Sequence, residues 1–138
     1  MKAWLMTILV LVAVALPVAA DDLTGADRFL CAAVQANVCT TEGKCESGPP
    51  WGWNMPRFLQ VDLAAKKLRT TPTSGENRET AILGLLRENG LIVLHGFEMG
   101  RAFSVLINEA SGDASFAVAR EHLIVSVFGS CTPQPAGH

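Results

Sequence analysis

The amino-acid sequence predicts an all-β domain, an antiparallel meander that curls into a small, partly closed β-barrel stabilised by two disulfides. Three observations carry that expectation. Five apolar runs of strand length follow one another in the last third: Thr80–Glu88, Leu91–Glu98, Arg101–Glu109, Ala114–Arg120 and Leu123–Phe128. Hairpin-sized turn signals separate them, at Asn89-Gly90, Met99-Gly100, Ser111-Gly112-Asp113 and Glu121-His122. Runs rich in Val, Ile, Leu and Phe with such short gaps read as paired strands. The third observation is an even set of cysteines, Cys31, Cys39, Cys45 and Cys131, behind an export leader.

Asn89-Gly90 is the strongest turn signal, because a type I′ turn needs positive φ at both central residues. Treating every turn as a simple hairpin sets Glu88 opposite Leu91, Glu98 opposite Arg101, Glu109 opposite Ala114 and Arg120 opposite Leu123. Side chains alternate along each strand, so two faces can be collected. One face holds Leu83, Leu85, Ile92, Leu94, Phe103, Val105, Ile107, Phe116, Val118, Val125 and Val127, a bulky core surface. The other holds Ile82, Gly84, Leu86, Leu91, Val93, His95, Phe97, Ala102, Ser104, Leu106, Ala117, Ala119, Ser126 and Phe128. A sheet wet on one side alternates more cleanly than this. The second face is therefore expected to be covered, by the N-terminal third or by a ligand or partner.

Met1–Ala20 reads as a secretory signal peptide cleaved after Ala20. Lys2 supplies the positive end, Leu5–Leu16 the apolar stretch and Val18-Ala19-Ala20 the small-residue site. Residues 21–131 then form a single β domain and 132–138 a flexible tail. The setting expected is periplasmic or secreted in a bacterium, with no membrane attachment after cleavage. Lys2 is the one basic residue lost with the leader, so ten basic and thirteen acidic residues remain. That mild, scattered acidity gives no reason to expect nucleic acid.

The four cysteines allow three pairings. The favoured one joins Cys39 to Cys45 around a short loop and Cys31 to Cys131 across nearly the whole domain. No paired Cys-x-x-Cys spacing points to a metal, and no cofactor is expected. Ala26–Val38 suits a helix or a strand, and a cysteine at each end of the stretch favours the strand. Ser47–Met55 is broken by Pro49-Pro50 and Gly52 and reads as a loop. Trp51 and Trp53 share a side if this loop is extended. They plug a barrel end or stack on a partner. Phe58–Leu63 and Lys67–Thr71 alternate as a hairpin, with Leu59, Val61, Leu63, Leu68 and Thr70 inward. Gln60, Asp62, Lys67 and Arg69 point to water. About eight strands are expected in all.

Several stretches together, Arg57-Phe58, Val61-Asp62-Leu63, Ser74-Gly75-Glu76-Asn77-Arg78, Gly100-Arg101-Ala102-Phe103-Ser104 and Val127-Phe128-Gly129-Ser130-Cys131-Thr132-Pro133, carry a resemblance. They resemble a group of uncharacterised small exported proteins of Gram-negative bacteria. That resemblance implies an exported small β protein and assigns no site. The general plan is also similar to calycin-type barrels and periplasmic lysozyme inhibitors, a likeness of architecture only.

Catalytic chemistry is weakly signalled. In the trial register Ser104 lies across from His95, with Gly84 on the other side of His95, but no carboxylate is placed to orient the imidazole. No Gly-x-Ser-x-Gly occurs. A metal site would need His95 to meet His122 or a carboxylate, and His122, in a turn two strands away, comes near only if the sheet closes strongly. Glu98 and Arg101 are expected to pair at the mouth of their hairpin. The expectation is a non-enzymatic binding protein whose partner is an envelope protein, with inhibition as one mode. Glu76, Asn77 and Arg78, with Trp51 and Trp53, would form its rim. The alternative is a carrier of a small apolar ligand held around Val93, His95, Ser104 and Ala117.

Overall fold

A computed structural model describes residues 22–74 and 77–135. The leader reading of Met1–Ala20 and the loop residue Glu76 lie outside the described residues. Ten strands are formed: β1 (Arg28–Thr40), β2 (Cys45–Gly48), β3 (Phe58–Asp62), β4 (Lys67–Thr70), β5 (Glu79–Ala81), β6 (Gly84–Glu88), β7 (Leu91–Glu98), β8 (Arg101–Asn108), β9 (Asp113–Arg120) and β10 (Leu123–Pro133). They make one antiparallel sheet in the order β5-β4-β3-β1-β10-β9-β8-β7-β6, with β2 added to β1. The sheet curls into a partly closed barrel. The ambiguous Ala26–Val38 stretch is strand from Arg28 onward, and this strand sits beside β10 at the centre of the sheet.

The favoured disulfides are both formed, Cys31–Cys131 and Cys39–Cys45. Each joins residues directly opposite on antiparallel neighbours, so the pairing register presents the sulfurs to one another. The β1–β10 ladder carries a bulge between Ala33 and Gln35. Gly129 permits it: a Cβ there would lie 2.3 Å from the Ala32 carbonyl oxygen. β10 runs past the expected boundary at Cys131, with Thr132 opposite Leu30 and Pro133 opposite Phe29.

Most of the trial register is found. Glu88 faces Leu91, Glu98 faces Arg101 and Arg120 faces Leu123. Asn89 and Gly90 both have positive φ, at 53° and 76°, as the type I′ turn requires. The β8–β9 pair differs, because Ile107, not Glu109, lies opposite Ala114. Asn108 causes this. Its side-chain oxygen accepts from the N–H groups of Ala110 and Ser111, and its carbonyl accepts from Gly112, so the turn takes four residues. The shift is by two residues, and the side-chain period is also two, so the inward face is unchanged.

The inward rows are layered across the strands. Ile92, Ile107 and Ala114 form the deepest. Leu94, Val105, Phe116, Val127 and Ala36 form the next, and Gly96, Phe103, Val118, Val125 and Val38 the one above. Gly96 leaves room for the Phe103 ring, since a Cβ there would meet the ring at 2.4 Å. Leu23 is wholly buried below these rows and closes that end. Arg87 fastens it: the guanidinium ion-pairs with Glu109 and donates to the carbonyls of Leu23 and Ala26, each at 3.0 Å.

Three expectations are corrected. The single strand Thr80–Glu88 is two, β5 and β6, joined by a bend at Ile82-Leu83. Ile82 donates to Lys66 at one edge of the sheet and Leu83 to His95 at the other, so the bend spans the barrel seam. It reverses the assigned faces: Ile82 is 3% exposed and Leu83 66%. Asp62 is buried rather than solvated, with its carboxylate between Arg28 and Arg69 and accepting from the Ala65 N–H. The N-terminal third, as far as it is described, does not cover the second face of the meander. Leu86, Leu91, Phe97, Leu106 and Phe128 are exposed there, because the N-terminal third extends the sheet sideways instead of packing across it.

Candidate functional site: a cavity at the barrel mouth

The end opposite Leu23 holds a cavity of about 350 Å³. Its floor is built from the inward rows, chiefly Phe103, Phe116, Val118, Val125 and Val127, with Val38 from β1. The alternation of β8, β9 and β10 aims these side chains at one space. Trp53, Met55 and Pro50 form a flank from the segment after β2. Ser47–Met55 is less irregular than expected, since Ser47 and Gly48 complete β2 and Pro50–Trp53 is a 3-10 turn.

That turn separates the two tryptophans. Trp53 packs on Val38, Val125 and their neighbours and partly stoppers the barrel. Its ring also lies against Gly48, where a Cβ would come within 3.1 Å. Trp51 faces outward, with the Arg57 guanidinium stacked 4.0 Å from the ring centroid. The pair therefore does not share one side. An extended segment would have placed them together, but the proline-led 3-10 turn rotates one residue away from the other.

The rim is charged. Arg57, Arg78, Glu98, Arg101 and Arg120 all line the opening. Arg78 donates to Glu98 at 3.2 Å. Glu98 was expected to pair with Arg101, its neighbour across the hairpin. Its carboxylate instead reaches Arg78, which arrives from the segment before β5. Arg101 continues the inward alternation of Phe103, and Arg120 continues that of Val118. Neither makes an ion pair among the described residues.

The sequence-derived site residues divide accordingly. Arg78 and Trp53 are at the mouth, Asn77 is exposed just before Arg78, and Trp51 lies outside beside Arg57. His95 and Ser104 are opposite one another, as expected, and both are exposed on the outer face, although Ser104 also borders the cavity. No hydrogen bond joins them. The imidazole lies over Gly84, where a Cβ would meet its ring at 1.8 Å, so packing rather than nucleophile activation sets its position. The carrier surface around Val93, His95, Ser104 and Ala117 is thus the convex side of the sheet, and the concave side holds the cavity.

Arg57, Arg101 and Arg120 were missed. The signal was present in Arg101 and Arg120, which have the parity of core positions at the ends of inward-facing runs. A charged residue at such a position marks a mouth. Arg57 had no comparable signal, because its place depends on the turn before it.

Among the described residues, no group of three or more His, Cys, Asp or Glu is arranged to hold a metal ion. No helix there is long and apolar enough to cross a membrane. No known family model matches the chain, and comparison with curated proteins finds no similar sequence.

Proposed function

We propose that this chain is an exported, non-enzymatic binding protein that takes a small, largely apolar molecule into the mouth of its barrel. The observation that carries this reading is the apolar cavity of about 350 Å³ behind a polar rim. That size falls at the small end of the ligand-site range of roughly 300–1,000 Å³, and such sites are mostly apolar with a few placed polar groups. Barrel mouths are common places for them. Two disulfides favour an oxidising compartment, in keeping with the leader read at Met1–Ala20.

Titration of the purified, oxidised protein with an environment-sensitive lipid probe tests the proposal. Saturable binding that is lost on Val118→Trp, which fills the floor, is the expected outcome. Probe fluorescence that never saturates, or that ignores the filled floor, would defeat it.

A protein partner at the same rim is the second reading. The Arg57–Trp51 stack favours it, since Arg and Trp are the residue types that dominate interface energetics. Lysozyme activity in the presence of excess protein is the direct assay, and unchanged lysis removes inhibition of that enzyme.

A further inference from the structure

Resting on the cavity reading above, we propose that the mouth selects an anionic head group. The ligand is an amphiphile whose chain lies on the Phe103–Val118 floor and whose carboxylate or phosphate is held jointly by Arg101 and Arg120.

The two arginines are brought together by the β-sheet itself. Ala102 and Ala119 are register partners on β8 and β9. One step further along the same ladder sets Arg101 opposite Arg120, at the spacing of cross-strand neighbours. Both have inward parity, and both line the opening. Like charges directly opposite are destabilising in a sheet. The usual remedy is a carboxylate, and the nearest on the same ladder is Glu98, opposite Arg101. That carboxylate bonds to Arg78 instead. Beside the Arg78–Glu98 pair the rim carries Arg57, Arg101 and Arg120, and Glu98 is the one carboxylate among the described lining residues.

Two adjacent guanidinium groups offer parallel N–H donors in a planar fork, the geometry that carboxylate and phosphate oxygens accept. An anion there neutralises the repelling pair, and the apolar floor directly below takes the rest of the molecule. A cationic amphiphile meets repulsion at the same place. A neutral one fills the floor but leaves the pair uncompensated.

The test compares four probes with one chain length and different heads: octanoate, octyl phosphate, octanol and octylamine. Affinities are measured by calorimetry on the wild type, Arg101→Gln and Arg120→Gln. We expect at least one anion to bind about tenfold or more tighter than octanol, with octylamine weakest. The better anion identifies the head group. Each substitution should lower anion affinity by roughly tenfold while leaving octanol unchanged, and added salt should weaken the anions only.

Melting of the unliganded variants supplies a separate readout. Removing one of two like charges should leave the melting temperature unchanged or raised, so lost affinity cannot be put down to unfolding. Octanol binding as tightly as both anions would overturn the head-group proposal and leave the cavity reading standing. Anion affinity unchanged in both variants would overturn it too. Failure of all four probes would take down the cavity reading itself, and this proposal with it.

Discussion

At one end of the barrel Leu23 is wholly buried and the Arg87 guanidinium is shared among Glu109 and the carbonyls of Leu23 and Ala26. At the other, Arg101 and Arg120 stand side by side over an apolar hollow without a carboxylate of their own. Both ends are made from the same inward alternation of the same strands. The difference is what the chain lays across them. A segment preceding β1 plugs the first, and its backbone carbonyls satisfy the arginine. The turn Pro50–Trp53 covers the second only partly. An arginine whose donors are answered by backbone is part of the structure. Arg101 and Arg120 make no ion pair among the described residues.

The contrast can be tested by breaking each end. The largest effect belongs to the cysteines. Cys31–Cys131 lies within the core cluster and spans 100 residues of sequence. On the loop-entropy relation its removal by paired Cys→Ala substitution should cost roughly 4–5 kcal/mol. Cys39–Cys45 lies toward the mouth and spans 6. Its removal should cost about 2 kcal/mol. Denaturant midpoints of the two double variants give the order, and a reversed order would contradict loop length as the deciding factor.

Core truncation should follow. Leu23→Ala leaves a void in a sealed end and should cost about 3 kcal/mol. Val118→Ala only enlarges a space already open and should cost about 1 kcal/mol. Equal losses in chemical denaturation would mean that the two ends are packed alike.

The smallest effect lies on the edge strand β5, away from both ends. Lys67, and then Arg69, hydrogen-bond the Glu79 carboxylate and hold its pKa below the ordinary value. A lowered folded pKa stabilises the fold above the unfolded carboxylate value of about 4.3, and that contribution is lost as pH falls through the lowered value. Glu79→Gln should therefore be slightly less stable than wild type near neutral pH and should converge on it in acid. Because the group is exposed, high salt should erase the difference.

Much of this was legible in the residues. Turn chemistry at Asn89-Gly90 and Met99-Gly100 located the hairpins, since few residues tolerate positive φ. The core face of the meander was nearly complete, and survived a two-residue error at Asn108 because strand periodicity absorbs it. Two kinds of error came through. Leu83 and Ile82 were exchanged because a bend breaks the alternation, and no Gly or Pro at those positions announced it. Asp62 was sent to solvent because alternation registers side-chain direction but not the arginines that arrive from β1 and β4 to neutralise it. The pocket expected around His95 and Ser104 lies on the exposed face, and the cavity on the concave one. His95 and Ser104 were noticed for their chemistry, but the concave side, where a ligand can be enclosed, depends on how the sheet curls.

Local pattern determined the hairpins and most of the strands, because those follow from backbone sterics and a period of two, and it narrowed the cysteines to three pairings. Only the tertiary structure decided which side of the sheet became the hollow, where Glu98 spent its charge and which arginines came to line the opening. Those outcomes turn on contacts between segments far apart in the chain, such as Arg78 with Glu98, and on the bend at Ile82-Leu83 that draws the sheet edges together.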